Sequence, residues 1–383
     1  MIFFVTTGMF AATTLIPGLF LAFVPYLMRK NECFAVTVPP SAQTDPRLVA
    51  LKKRYTVTML IVSVAFTIVA AVAGALLVNR SEQYDDTATA AITGAALECL
   101  TVLAIVIVSF VLMLRGRRKV QDIKRTEGWA AQRKESAVAL AEENLPGPLS
   151  VSWNLLHVPL ILGTLALGLA LYPSMPDMLP IHADLAGNVD SWEPKTLTNA
   201  IGLPILCELF MAAIFTFVHW MMSHSKRLLD PAAPAASALA YGLFARAQSI
   251  FMLVVGLLVS SGVGISILFC FAGIATMGQA VVVLVALCLL ILFGSIAMSV
   301  VYGQAGSRVF KRMQNEDFLL ADEDSHWKLG VFYFNPDDAS IFLPKRFGIG
   351  WTMNFARPVT WAITLGGLAA TVAFIVAVSL LAS

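Results

Sequence analysis

The stretch Ala280-Val-Val-Val-Leu-Val-Ala-Leu-Cys-Leu-Leu-Ile-Leu-Phe-Gly-Ser-Ile-Ala-Met-Ser-Val-Val-Tyr302 runs for 23 residues without one Asp, Glu, Lys or Arg. At a helical rise of about 1.5 Å per residue it covers about 35 Å, enough to cross a hydrocarbon layer about 30 Å thick. Seven more stretches are long and apolar enough to do the same, at roughly 2–28, 55–78, 89–114, 151–172, 199–222, 241–267 and 359–381, three of them holding a single charged residue, Glu98, Glu208 or Arg246. The composition agrees: 58% of the 383 residues are hydrophobic and 13% charged, against roughly 45–50% and 25% in soluble domains. An ordinary cytosolic enzyme, a disordered chain and a nucleic-acid binder driven by a basic surface are excluded. The expected fold class is an all-α integral membrane bundle of about eight transmembrane helices with a small cytoplasmic β-hairpin module.

Charge placement orients the spans. If the loops 29–54, 115–150, 223–240 and 303–358 are cytoplasmic, they hold 23 of the 26 Lys and Arg residues. The outer loops then keep Arg80 and Lys195, together with the acids Glu82, Asp85, Asp86, Asp177, Asp184, Asp190 and Glu193. This is the positive-inside pattern, and it sets both termini outside. Arg29 and Lys30 follow the first span and no cation precedes it, so that span reads as retained rather than as a cleaved leader.

The chain divides into a three-span region (1–150), two spans flanking a Pro-rich outer loop (151–222, with the loop at 173–198), spans six and seven (223–302), an inner module (303–358) and a last span (359–383). In the first inner loop Pro39, Pro40 and Pro46 forbid a single helix, and Asp45 is placed to cap a short one leading into Lys52-Lys53-Arg54. The loop 115–150 opens on Arg115, Arg117, Arg118 and Lys119 and continues in helix-forming residues to Leu145-Pro146-Gly147-Pro148. That basic stretch reads as a topology anchor on anionic lipid. Asp230-Pro231-Ala232-Ala233-Pro234 is a linker, and no internal repeat supports an inverted-repeat transporter. In the inner module, Trp327–Phe334 and Ser340–Arg346 read as a β-hairpin closed by the turn Asn335-Pro336-Asp337-Asp338, with 347–355 as a third strand.

Two groups of polar residues carry candidate chemistry. In the outer loop, His182, Asp184, Asp190 and Glu193 fall within twelve residues, beside Asp177, Gly187, Trp192 and Lys195. Imidazole and carboxylates together can hold a divalent metal, but this spacing matches no recognised signature. No metal and no cofactor is therefore expected. The alternatives are ligand recognition by the loop or a purely structural fold-over. In the membrane, Glu98 and Glu208 each lie about ten residues from the outer end of their span, roughly 15 Å deep. Ionisable groups at that depth face a bundle interior or a pathway. Interhelical hydrogen bonding and a proton or cation path both remain open for them. His157, His219 and Arg246 sit in the inner third of their spans. Arg246 snorkels by default, and the three together would line a polar vestibule below the glutamates. The five cysteines form no CxxC pair, and no G-x-S-x-G, S-x-x-K or H-E-x-x-H string occurs.

The outer loop resembles the domain of unknown function 1648 through Pro176, Asp177, Pro180, His182, Gly187, Asp190, Trp192 and Lys195. The inner module resembles the domain of unknown function 5808 through Trp327, Gly330, Phe332, Tyr333, Asn335, Pro336, Asp337, Asp338 and the run Lys345-Arg346-Phe347-Gly348-Ile349-Gly350-Trp351. Phe34–Pro40 and Asp45-Pro46-Arg47 are similar to the first inner loop of the same proteins. The resemblance implies a multi-pass protein of the bacterial inner membrane. The first domain also occurs in SdpI-type immunity proteins, which protect against a secreted toxic peptide and signal its presence. A non-enzymatic sensor or immunity-type protein is the expected function. An ion-coupled transporter using Glu98 and Glu208 is the alternative, and a membrane-embedded metal-dependent enzyme the third reading. The bilayer is the expected partner, with an extracytoplasmic peptide and a cytoplasmic regulator as candidates and no nucleic acid; the oligomeric state is left open.

Overall fold

The computed structural model describes residues 2–29, 31–84, 87–129, 145–183, 189–227, 233–313, 324–348 and 350–381. Eight of its helices are long and apolar enough to cross a membrane. They are α1 (Ile2–Leu27), α2 (Pro46–Tyr84), α3 (Thr87–Thr126), α4 (His157–Leu171), α5 (Leu203–Ser223), α6 (Pro234–Phe271), α7 (Met277–Val301) and α9 (Pro358–Leu381), with the seven-residue α8 (Ser307–Met313) between the last two. Asp45 caps α2 as its position implies, its Oδ1 accepting from the Arg47 N–H at 2.8 Å. The capped helix is not short, however: it runs 39 residues straight through the second span. α3 likewise continues past its apolar part, as far as Thr126, for 40 residues in all. Hydropathy marks the lipid-facing length, while the helix itself continues where Lys52 and Arg117 are buried against protein. The remainder of the 115–150 loop, residues 130–144, lies outside the described residues, as does most of the 230–234 linker.

The principal helix packing falls into two groups, α1–α3 and α4–α7, with α9 against α5. Between helices in lipid there is little hydrophobic gain, so close approach over small residues does the work. A Cβ on Gly18 would stand 2.4 Å from Ser63 Oγ, on Gly256 2.8 Å from Phe215 Cβ and on Gly294 2.4 Å from a Phe251 ring carbon. Within the bundle, Tyr55 bonds Ser109 at 2.7 Å, and Thr56 donates to the Ala22 carbonyl at 2.9 Å.

Among the described residues the strands form four two-stranded antiparallel hairpins, with the isolated parallel bridges Ser225–Phe342 and Tyr333–Asn354 beside them. β1 (Glu32–Cys33) pairs with β2 (Val36–Thr37) across Phe34 and Ala35, both at positive φ, a conformation non-glycine residues rarely take. β3 (Met178–Ala183) pairs with β4 (Val189–Pro194), so the Pro-rich loop is a hairpin rather than an irregular strap. Pro180 sits inside β3 without penalty because a lone hairpin has an open edge. β5 (Trp327–Lys328) pairs with β6 (Phe332–Tyr333), and β7 (Phe342–Pro344) with β8 (Trp351–Met353). The expected module is thereby corrected: Asn335–Asp338 joins two hairpins instead of closing one, and the third strand pairs with β7 and meets β6 through the single bridge Tyr333–Asn354. The reason is local. Leu329 (φ 51) and Gly330 (φ 74) already reverse the chain between β5 and β6, and the Asn354 side chain holds Asn335–Asp338 as a linker, accepting from the Asn335 N–H and donating to the carbonyls of Asn335 and Asp338.

Candidate functional site

Three assemblies of polar side chains stand out, one at each end of the α4–α6 group and one inside it. At the hairpin end, His182 Nδ1 meets Asp190 Oδ1 across β3 and β4 at 2.6 Å, with the two side chains 63% and 38% exposed. Trp192, paired with Pro180, and Met178 expose their apolar side chains nearby. On the opposite face Leu179 is fully buried with Leu268 and Phe271 of α6, which seats the hairpin on the bundle. Lys195 is committed to the fold: its Nζ donates to the Met175 carbonyl at 2.7 Å and its N–H to that of Asp177 at 2.7 Å. Asp177 itself is fully exposed. Asp184 and Gly187 lie outside the described residues. Among the described residues no three His, Cys, Asp or Glu side chains gather as a metal site.

Inside the group, the buried faces of α4 (His157, Thr164, Gly168), α5 (Glu208, Ala212, His219) and α6 (Ser249, Gly256, Ser260, Gly264) meet along one seam. Spacings of four and seven residues keep each set on one helix face. His219 accepts from Asn154 Nδ2 at Nδ1 (2.9 Å) and donates from Nε2 to the Leu149 carbonyl (3.0 Å), while the Leu149 N–H donates to Ser249 Oγ (2.7 Å). His157 Nδ1 lies 3.0 Å from Ser260 Oγ. Glu208 is fully buried, faces Thr164, and abuts Gly264 so closely that a Cβ there would stand 2.8 Å from Oε2. The vestibule and the paired-glutamate alternatives are not what the geometry brings together. Arg246 is exposed, on a different face of α6 from the seam, in keeping with the default snorkelling reading. Glu98 belongs to the other helix group, where Thr13 and Thr14 of α1 donate to it at 2.6 and 2.9 Å. It does not share a site with Glu208.

At the far end, the module is wedged against both helix groups. Asp324 accepts from the Thr37 N–H and hydroxyl (3.0 and 2.7 Å), from Lys124 Nζ (2.7 Å) and from Arg346. Arg346 also faces Glu32 (3.7 Å) and lies over the Trp327 ring. Arg117 of α3 donates to the carbonyls of Ala35 and Trp327. Phe347 stacks on Phe34 and meets Tyr55 edge-on. Toward the second group, Lys226 pairs with Asp338 at 2.8 Å, Gln304 donates to the Gly350 carbonyl at 2.6 Å, and Trp351 lies against Phe244 of α6. Burial works against ionising both acids, yet their cations and hydrogen-bond donors outweigh it: Asp324 stays below the usual carboxylate range and Asp338 is held at about 2. Burial pushes the Cys33 thiol up to about 11. Asp337 and Lys345 remain exposed.

Residues 160–207 match the family model described as a domain of unknown function (DUF1648), and residues 336–361 match the one described as a family of unknown function (DUF5808). Both expected domains are present. DUF1648 covers most of α4, the hairpin and the start of α5, and DUF5808 the second half of the module and the first turn of α9. No curated protein and no solved structure matches the chain. Glu32, Lys226, Asp324 and Asn354 were not singled out in the sequence. Their partners lie far away in the chain, 287 positions for Thr37 and Asp324 and further still for Glu32 and Arg346, and no local signal marks them.

Proposed function

We propose that this chain is a non-enzymatic membrane sensor or immunity-type protein of the bacterial inner membrane. The β3–β4 hairpin receives an extracytoplasmic peptide or envelope signal, and the module answers it on the cytoplasmic face. One observation carries the reading. α6 is a single 38-residue helix with the hairpin seated on its last turns and the module on its first. Leu179 packs with Leu268 and Phe271 at one end; Gly306 abuts the Ala240 carbonyl and Trp351 meets Phe244 at the other. A displacement of the hairpin therefore has a rigid body through which to bias the module.

The exposed His182–Asp190 pair and Trp192 supply a polar and an aromatic contact for a peptide, Trp being among the residue types enriched at recognition hot spots. In cells challenged with secreted antimicrobial peptides, His182→Ala and Trp192→Ala are expected to abolish protection or the induced response while the protein inserts at its normal level. A wild-type response from both variants would remove the recognition role.

Ion-coupled transport is the second reading, and Glu208 is the observation that favours it. Glu208→Gln in proteoliposomes should then abolish pH-dependent flux, and unchanged flux excludes it.

A further inference from the structure

The seam between α4, α5 and α6 holds more polar atoms than it satisfies. Both carboxylate oxygens of Glu208, Oγ1 of Thr164, Nε2 of His157 and Oδ1 of Asn154 are buried without a hydrogen-bond partner of ordinary geometry. Their residues are 0%, 3%, 4% and 7% exposed. An ionised carboxylate with no partner in such surroundings is too costly to persist; it is held only with a proton or a cation. Thr164 and Gly264 are what stand against it, and a full oxygen shell for a metal ion would need about six ligands. A proton needs one.

The surroundings contain nothing else that would neutralise it. On α4 the titratable group of the seam is His157; on α5 itself they are Cys207 and His219; the α6 face from Ser249 to Leu268 has none; and α9, which packs on α5 through Phe374 and Phe210, carries no titratable residue from Pro358 to Leu381. The seam is also asymmetric. Toward the hairpin it is closed by Gly168 against Ile201 and Leu268, within a cluster that includes Met175, Leu179 and Phe271. Toward the module it continues as His157–Ser260, then Asn154–His219–Leu149–Ser249. His157 keeps one ring nitrogen open whichever tautomer it adopts, so it can pass a proton on.

We infer that Glu208 is a proton-binding site, buried at mid-span with Thr164 and loaded from the module end of the seam by way of His157. The step is a simple transfer: the carboxylate takes one proton from the seam and returns it there, and no other bond changes. It stands apart from the sensor reading.

Infrared difference spectroscopy on the full chain in lipid nanodiscs tests it. Raising the bath pH should remove a protonated-carboxyl stretch that is missing in Glu208→Gln and kept in Glu98→Gln. Ser260→Ala, which frees His157 from its only hydroxyl contact in the seam, should slow deuterium exchange of that band by about tenfold. Glu208→Gln is close to isosteric and neutral, so its melting temperature should stay near wild type, which separates loss of the site from loss of the fold. A band that survives in Glu208→Gln, or one that never responds to pH, overturns the site. Displacement of the band by sodium at constant pH would make it a cation site and overturn the proton assignment. Exchange at the wild-type rate in Ser260→Ala overturns the route.

Discussion

Asn354 shows how much one side chain can organise. It is fully buried, accepts from the N–H groups of Asn335 and Ala356, and donates to the carbonyls of Asn335 and Asp338. Asn354→Ala would leave four backbone groups unpaired at about 1–3 kcal/mol each where water cannot replace them. A loss of at least about 3 kcal/mol is expected, read from denaturant unfolding followed by tryptophan fluorescence. Asn354→Asp should fare little better, since a carboxylate can accept from the two N–H groups but repels the two carbonyls. A variant of normal stability would show that the module is held by something else. Nothing near Asn354 in the sequence announces this role, because its partners are chosen by the fold. Glu208, in contrast, was legible as an intramembrane acid from hydropathy alone. What hydropathy could not supply was its rotation about α5, and rotation decides that it faces Thr164 while Glu98 faces α1.

Among the elements, the spans were the most legible, since each needs only an apolar run of bilayer length. Their ends were not: α2, α3 and α6 overrun the apolar window because polar residues beyond it pack against the module. The hairpins were the least legible. Strands of two or three residues carry almost no periodicity, and Pro180 inside β3 argues for a loop. The module element has its own acid dependence. Asp338 has its pKa held at about 2 by Lys226, the Ser340 N–H and the Tyr333 hydroxyl, despite burial, against about 3.9 unfolded. A depressed carboxylate stabilises the fold above the unfolded value and ceases to do so as pH falls through the folded one. The module should accordingly loosen between pH 4 and pH 2, seen as a change in emission from Trp327 and Trp351. Asp338→Asn should flatten that transition; an unaltered acid limb in this variant would assign the effect to other groups.

At the level of the whole molecule, the module is what ties the two helix groups together. Asp324 serves the loop between α1 and α2, α3 and the module at once, and Arg346 is only 7% exposed beside it. Asp324→Asn removes the nearer of the two carboxylates that face the buried Arg346 guanidinium, a change that costs up to about 3–5 kcal/mol where such pairs are broken. Paired spin labels on α2 and α6 should report a broader and longer distance distribution in that variant. Cys33, fully buried and with its thiol raised to about 11, should turn from inert to reactive toward a water-soluble maleimide. Unchanged distances and an inert Cys33 would mean that the groups hold together without the module.

The contact between Thr37 and Asp324 also sets a timetable. The two are separated by 287 positions, and a ribosome adding about 5–20 residues per second needs roughly 15–60 s to cover them. For that interval the newborn loop between α1 and α2, with Glu32 and the strained Phe34–Ala35 corner, has been translated and its counterpart has not. Either the insertion machinery shelters it or it is exposed to quality-control proteases, so synthesis speed over the second half of the message becomes a determinant of yield.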